Sequence, residues 1–398
     1  WIMRYNLLVL IIFLGRTLAL AQEIKPKEID AIESIAKKYI REYAITALSI
    51  GIVKNSEPYT FHYGYTDVNG RVPISDSTMF HLASVTKLFT ATAIMQLIES
   101  GHLGLEEKLV DILPAFKMRD KRAKKITVWH LLTHTSGLMW DNIIENSPND
   151  TSSARLFLQK LSKRKLNFRP GEKLSYKTYS NTAYDLLGMV VEKKSGKIFS
   201  DYVTENILNP LQMKRSTYDY KDIDSTYLAL PVLLSGKSKK IARLNLIGLD
   251  TNDLTLVSSN GLGLINHNVY GEDYEHNPSG NLISSALELN RWIQGMLEIY
   301  SNSKSNSVLS RNSLSQMWSI QRHINNSKTS IGLGWWVYQD DKLGTSVFHV
   351  GNNPGFCSIL MIFPDQKLGI SVLSNASYAQ KAIWNKMTIE VAQLLIKK

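Results

Sequence analysis

The segment from Phe80 to Gly101 leaves this chain little freedom, because it reads as a helix that is apolar on nearly every side. After Phe80-His81-Leu82-Ala83-Ser84-Val85-Thr86-Lys87, the apolar residues Leu88, Ala91, Ala93, Ile94, Leu97 and Ile98 recur at helical spacing, and Gly101 supplies a C-terminal stop. Such a helix belongs in a core, and it carries Ser84 and Lys87 there with it. The two are three residues apart in the first turn, on one face. A serine hydroxyl is a poor nucleophile until something takes its proton. A desolvated, neutral lysine one turn away can take it. The helix N-terminus also aims free N–H groups at a developing oxyanion. Ser-x-x-Lys occurs four times, at Ser34/Lys37, Ser84/Lys87, Ser162/Lys165 and Ser301/Lys304. Three copies lie in polar surroundings; only the one at Ser84 opens an apolar helix.

A chain of 398 residues is long enough for one large or two ordinary domains. The formal net charge of +11 raises nucleic acid or an anionic surface as a partner. The basic residues are dispersed, however, and the one dense cluster, residues 117–125, reads as a solvated loop, so no nucleic-acid partner is expected. Cys357 is the only cysteine, which excludes a disulfide framework and Cys/His metal spacing; it reads as a small core residue, and no metal or cofactor is expected. At the N-terminus Arg4 precedes an apolar run at 7–14, and Ala19-Leu20-Ala21 fits a cleavage site before Gln22. That run is too short to span a bilayer. The expectation is a signal peptide at 1–21, a mature chain from 22 to 398, export to the periplasm or beyond, and no stable membrane anchor. Trp1 precedes Met3, and the true start residue is left open, as is the oligomeric state.

Along the chain, the pattern predicts a helix at 27–43, strands at 47–54 and 59–66, and a turn at 68–71. Helical segments are expected at 155–166, 183–194, 199–208 and 284–300, with loops and a hairpin in 215–275. Four antiparallel strands follow at 332–338, 346–350, 355–363 and 369–374, then a closing helix at 379–397. The fold class is therefore α+β. Both chain ends build one antiparallel sheet flanked by helices, and a mostly helical lobe is inserted. The α/β lobe is placed at about 27–105 and 276–398, the helical lobe at about 106–275. The cleft between the lobes is the expected site.

Two more constellations bear on it. Tyr179-Ser180-Asn181 precedes a helix: a phenol beside a lysine ammonium can serve as a base, and Asn181 can donate to a substrate carbonyl. His349-Val350-Gly351-Asn352 ends a strand, where Gly351 permits close approach of a ligand and His349 holds the phenol or donates to a substrate.

Serine at a helix start, Tyr-x-Asn near the middle and His-x-Gly on a late strand fall in this order, accompanied by ITVWHLLTHTSGL at 126–138, PGEKLSYKTYSNTAYDLL at 170–187, NPLQMK at 209–214, GLGW at 332–335 and HVGNNPGF at 349–356. In these motifs the chain, from about residue 28 to its end, resembles the serine β-lactamase and penicillin-binding protein superfamily, in the branch of class C β-lactamases, family VIII esterases and D-amino-acid peptidases. The resemblance implies an acyl-enzyme at Ser84, assisted by Lys87 and Tyr179. Asn181, His349 and Gly351 would border the substrate, and the N–H groups of Ser84 and Asn352 would form the oxyanion hole. It implies a small-molecule or peptide substrate and no cofactor. One departure matters. β-Lactamases of this type usually carry Lys-Thr-Gly or Lys-Ser-Gly on the late strand, and here the pair is His349-Val350. The Lys-Ser-Gly at 194–196 reads as a helix C-cap.

Overall fold

The computed structural model describes residues 23–396 except 44, 68–71, 140–150, 235–253, 258–261, 266–275 and 302–307. The expected signal peptide and the turn at 68–71 lie outside the described residues. Helix α1 (Pro26–Tyr43) leads into β1 (Ala47–Lys54) and β2 (Glu57–Gly64). A two-residue strand β3 (Phe80–His81) and a 3-10 turn, Ala83–Thr86, enter α2 (Lys87–Glu99). The middle holds α3 (Leu109–Ile112), α4 (Val128–Leu132), α5 (Thr151–Ser162), α6 (Asn181–Ser195) and α7 (Phe199–Val203). A small sheet follows, of β4 (Val232–Leu234), β5 (Leu254–Val257) and β6 (Leu262–Ile265). Next come β7 (Ile283–Ser284), which pairs with β3, then α8 (Ala286–Ser301) and α9 (Arg311–Trp318). The tail runs β8 (Arg322–His323), β9 (Thr329–Ile331), β10 (Trp336–Asp340), β11 (Gly344–Asn353), β12 (Phe356–Phe363) and β13 (Leu368–Ser374), then α10 (Gln380–Ala382) and α11 (Thr388–Leu395).

The main sheet has eight antiparallel strands in the order β2-β1-β13-β12-β11-β10-β9-β8, so strands from both chain ends meet at β1 and β13. Period-two alternation sorts its two faces. Leu48, Ile50 and Ile52 of β1, Ile359 and Met361 of β12, and Ile370 and Val372 of β13 pack with Ile32, Ala36 and Tyr39 of α1 and Val391, Ala392 and Leu395 of α11. The intervening residues face α8 and are small where that helix crosses. A Cβ on Gly51 would sit 2.9 Å from the Ala286 carbonyl oxygen, and one on Gly369 would overlap Ile293. Beyond α8 lies α2. Trp292 of α8 packs against Phe89 of α2 with ring centroids 4.1 Å apart and the rings tilted by 35°, and both are fully buried. The apolar character of α2 thus has its cause: ten of its thirteen residues are buried, between α8, α6 and the sheet.

The element pattern departs from the sequence expectation in several places. Strand β10 starts at Trp336, not 332, because Gly334 takes φ +84° and the Gly332 N–H closes a turn onto the Trp335 carbonyl. Strands β8 and β9 are too short to leave a periodic signal. The segments at 199–208 and 379–397 are not continuous α-helices. Each contains a π turn, Thr204–Leu208 and Ile383–Met387, and in the second the Thr388 hydroxyl donates to the Ile383 carbonyl, the acceptor five residues back. The described part of 215–275 contains the expected hairpin, the antiparallel pair β5 and β6, and adds β4 on the other edge of β6.

Truncating the residue that joins α8 to α2 should be costly: Trp292→Ala is expected to lower unfolding free energy by about 3–5 kcal/mol, read as a drop in denaturation midpoint at unchanged slope.

Candidate active site

Ser84 lies in the 3-10 turn just ahead of α2, one turn from Lys87. The turn is held in a costly shape. Ala83 takes φ +46°, unusual for a residue with a Cβ. Its N–H donates to His81 Nδ1 at 3.0 Å, and its carbonyl accepts from the Thr86 hydroxyl at 2.6 Å. His81 is therefore an acceptor at Nδ1, and burial lowers its pKa to about 4. The Ser358 hydroxyl donates to the Leu82 carbonyl at 2.6 Å, which clamps the turn to β12.

Lys87 is 0% exposed. Its Nζ lies 3.2 Å from Ser84 Oγ, 2.8 Å from Asn181 Oδ1 and 2.5 Å from the Ser279 carbonyl oxygen. It sits 5.0 Å from the centre of the Tyr179 ring and 5.4 Å from that of Tyr184. Burial is the main cause that lowers its pKa to about 7; Asp185 pulls the other way. Asn181 reaches Lys87 because Ser180 caps α6, its hydroxyl accepting from the Ala183 N–H at 3.0 Å. Asn181 thus spends its carbonyl oxygen on Lys87, which leaves its amide nitrogen as the group for a substrate.

The Tyr179 hydroxyl is buried against this cluster, while the residue as a whole is half-buried. Sequence reasoning expects the lysine to lower its pKa. Burial instead dominates and raises it well above the usual phenol range, Ser84 lowers it by hydrogen bonding, and the charge of Asp185 raises it further. A neutral phenol beside a lysine that titrates near neutrality is the resulting pair. Behind Tyr179 stands His134, buried, with ring centroids 4.4 Å apart; its Nδ1 accepts from the Ser180 N–H at 3.2 Å.

On the far side runs β11. Strand β10 pairs with it only up to Phe348, whereas β12 pairs with it through Asn353. Among the described residues, its edge from His349 onward therefore faces the site without a strand partner. Gly351 brings that edge in: a Cβ there would overlap the Leu82 carbonyl oxygen and the Ser358 hydroxyl and stand 3.1 Å from Ser84 N. Asn352 follows and is exposed. His349 is 1% exposed; its Nδ1 donates to the Val350 carbonyl at 2.8 Å, which leaves Nε2 as an acceptor. Burial, then the nearby Lys87, lower its pKa to about 3, so it is uncharged. The expectation that His349 donates to a substrate is thereby corrected: as a neutral ring it accepts. Its ring lies 6.1 Å from that of Tyr179.

The structure thus brings Ser84, Lys87, Tyr179, Asn181, His349 and Gly351 together, with Asn352 next along the strand. It adds four groups that sequence reasoning missed. Ser279 contributes a main-chain carbonyl, which leaves no side-chain signal. His134 and Tyr184 are hidden in segments that read as ordinary helix and loop. Asp185 carries a signal in hindsight, a carboxylate four residues after Asn181 on a buried helix face. Lys194-Ser195-Gly196 stands apart as the C-terminus of α6, with Gly196 at φ +73°. Among the described residues, no group of three or more His, Cys, Asp or Glu is placed to hold a metal ion, and no helix is long and apolar enough to cross a membrane.

A serine and a buried lysine at the mouth of a helix, faced by a tyrosine and a free strand edge, define the serine hydrolase fold of β-lactamases and penicillin-binding proteins. The chain belongs to the beta-lactamase family, whose model matches residues 32–392. It is similar to Protein flp of Staphylococcus aureus (strain MW2), 29% identical over 357 residues, a match that covers 88% of this chain and 64% of that protein's length. In structure it is similar to the octameric penicillin-binding protein homologue from Pyrococcus abyssi, with TM-score 0.72 and 25% identity over 92% of this chain and 77% of that one. A class C beta-lactamase shares the fold at TM-score 0.73 and 17% identity, covering 94% of this chain and 97% of that one.

Gly351→Ala should push β11 off the Ser84 turn. The expected result is a loss of roughly 1–3 kcal/mol in stability and a fall on the order of 100-fold in modification of Ser84 by a fluorophosphonate, read by mass spectrometry.

Proposed function

We propose that this protein is an exported serine hydrolase that cleaves ester or amide bonds through an acyl-enzyme on Ser84. The observation that carries the reading is the set of partners around Lys87 Nζ. Two of the three, Asn181 Oδ1 and the Ser279 carbonyl, can only accept. A neutral lysine has two N–H donors for them and one lone pair left, directed at Ser84 Oγ. The lysine then takes the serine proton as Oγ attacks the substrate carbonyl. The oxyanion that forms would be met by the N–H groups of Ser84 and Asn352; losing one such donor typically costs ~3 kcal/mol. Lys87 returns the proton through the Tyr179 hydroxyl to the leaving group, which departs as the neutral alcohol or amine. Water then attacks the acyl carbon; its proton passes along the same two side chains to Ser84 Oγ as the Oγ–acyl bond breaks, and its oxygen leaves on the acid.

The substrate class follows from what stands on β11. His349 is uncharged and Val350 has no donor side chain, so no side-chain cation is supplied there for a substrate carboxylate. A missing charge-assisted contact is worth roughly 1.5–3 kcal/mol, or ten- to a hundred-fold in affinity. That favours esters, amides and D-amino-acid peptides over efficient β-lactam hydrolysis. Export rests on the N-terminal sequence.

Intact mass spectrometry after exposure to a penicillin and, separately, to an activated ester tests the reading. Turnover of the ester, absent in Ser84→Ala, is expected, with a chain of the exported protein that begins at Gln22. A penicillin adduct on Ser84 that persists would instead favour a penicillin-binding protein that deacylates slowly. Tyr179→Phe should slow ester turnover by roughly 10²–10⁴-fold. Ester cleavage retained in Ser84→Ala would sink the assignment.

A further inference from the structure

We infer that Asp185 and His276 form a positioning pair that holds the Ser279 carbonyl against Lys87 and supplies a carboxylate that balances the lysine's charge. The inference rests on the serine hydrolase reading and goes behind it, to what makes Lys87 a base of the right strength.

Asp185 lies one turn beyond Asn181 on α6 and is 2% exposed. Its Oδ2 accepts from His276 Nδ1 at 3.2 Å. A carboxylate can only accept here, so Nδ1 carries the proton. His276 starts the turn that matters. Its carbonyl accepts from the Ser279 N–H at 3.1 Å and the Gly280 N–H at 2.9 Å, and this turn presents the Ser279 carbonyl to Lys87 Nζ. Two further contacts seat the same turn. The Thr90 hydroxyl of α2 donates to the Pro278 carbonyl at 2.6 Å. Pro278 packs on α6 where Gly188 leaves room, since a Cβ on Gly188 would overlap its ring. The turn is thus fixed between the two helices that carry Lys87 and Asn181, and Asp185 is its polar anchor on α6.

The second role is electrostatic. Among the described residues, the titratable side chains facing Lys87 are Tyr179 and Tyr184, both phenols raised by burial, His134 and His349, both imidazoles lowered by burial, and Asp185. The phenols and imidazoles are neutral near pH 7. Asp185 is the group that opposes the effect of burial on the lysine. Its other oxygen, Oδ1, is buried without a hydrogen-bond partner among the described residues, so His276 engages only one of the two carboxyl oxygens. Without that charge burial acts alone, and Lys87 holds its proton less well.

The test reads Lys87 itself. In the full chain labelled with [ε-¹³C]lysine, with Lys87→Arg to assign the signal, the Lys87 resonance is followed against pH. Asp185→Asn keeps an oxygen for His276 Nδ1 and removes the charge, so the midpoint is expected to fall by roughly one unit. His276→Ala removes the pin and keeps the charge. It should leave the midpoint at or above the native value and slow fluorophosphonate labelling of Ser84 on the order of tenfold, a loss that His276→Asn restores by offering an N–H at the same place. An unchanged midpoint in Asp185→Asn overturns the electrostatic role, and equal labelling rates in His276→Ala and His276→Asn overturn the positioning role. If Asp185→Asn does not fold, the His276 variants decide alone. The lysine titration needs no turnover, so failure of the hydrolase reading, seen as an unlabelled native Ser84, is separable from failure of this one.

Discussion

The burial of one lysine organises this molecule. Moving an ammonium away from water is expensive, and here the shift of Lys87 from 10.5 to about 7 corresponds to roughly 5 kcal/mol against the charged form. Among the described residues, the fold meets that cost with main-chain and amide carbonyls and the Asp185 carboxylate nearby, not with a close ion pair. A close pair would lock the proton in place; carbonyl acceptors let it leave. The stability consequence has a definite sign. Below about pH 7 both folded and unfolded chains carry the ammonium and the full cost of burying it is present; as pH rises from there toward the unfolded value the unfolded chain holds the extra proton, and the cost is progressively relieved.

The rest of the architecture delivers groups to that lysine. Helix α2 is apolar because it is enclosed, and enclosure is what desolvates Lys87. Helix α6 contributes Asn181 and Asp185 one turn apart. The segment before α8 contributes a carbonyl. Strand β11 closes the opposite wall, and its free edge opens where β10 stops pairing, just past Phe348. Gly351 and the strained Ala83 meet at this wall. At Gly351 a Cβ would hold the strand off the serine turn, and the close approach of the two depends on its absence.

Much of this was legible in the chain. Residues whose role shows in their own side chains stood out: the apolar run of α2, the Ser84–Lys87 spacing, the alternating strands at both ends, and Tyr179, Asn181 and Gly351 in order. What was hidden falls into physical classes. Ser279 acts through its backbone, which has no sequence signature. The protonation of Tyr179 and His349 depends on burial, which sets both against the simple charge argument: the phenol rises despite the lysine, and the imidazole is an acceptor because its own strand takes its one proton. The π turns and the two shortest strands fall below the length at which periodicity speaks.

The central claim is that Lys87 acts as a neutral base on Ser84, and the pH dependence of a single acylation tests it most directly. Fluorophosphonate labelling of Ser84 should rise with pH along one limb with a midpoint near 7, in step with the loss of the Lys87 proton. A labelling rate that is flat from pH 5 upward, or one that rises only near the ordinary lysine or phenol range, would show that Ser84 is activated by some other group and would contradict the account.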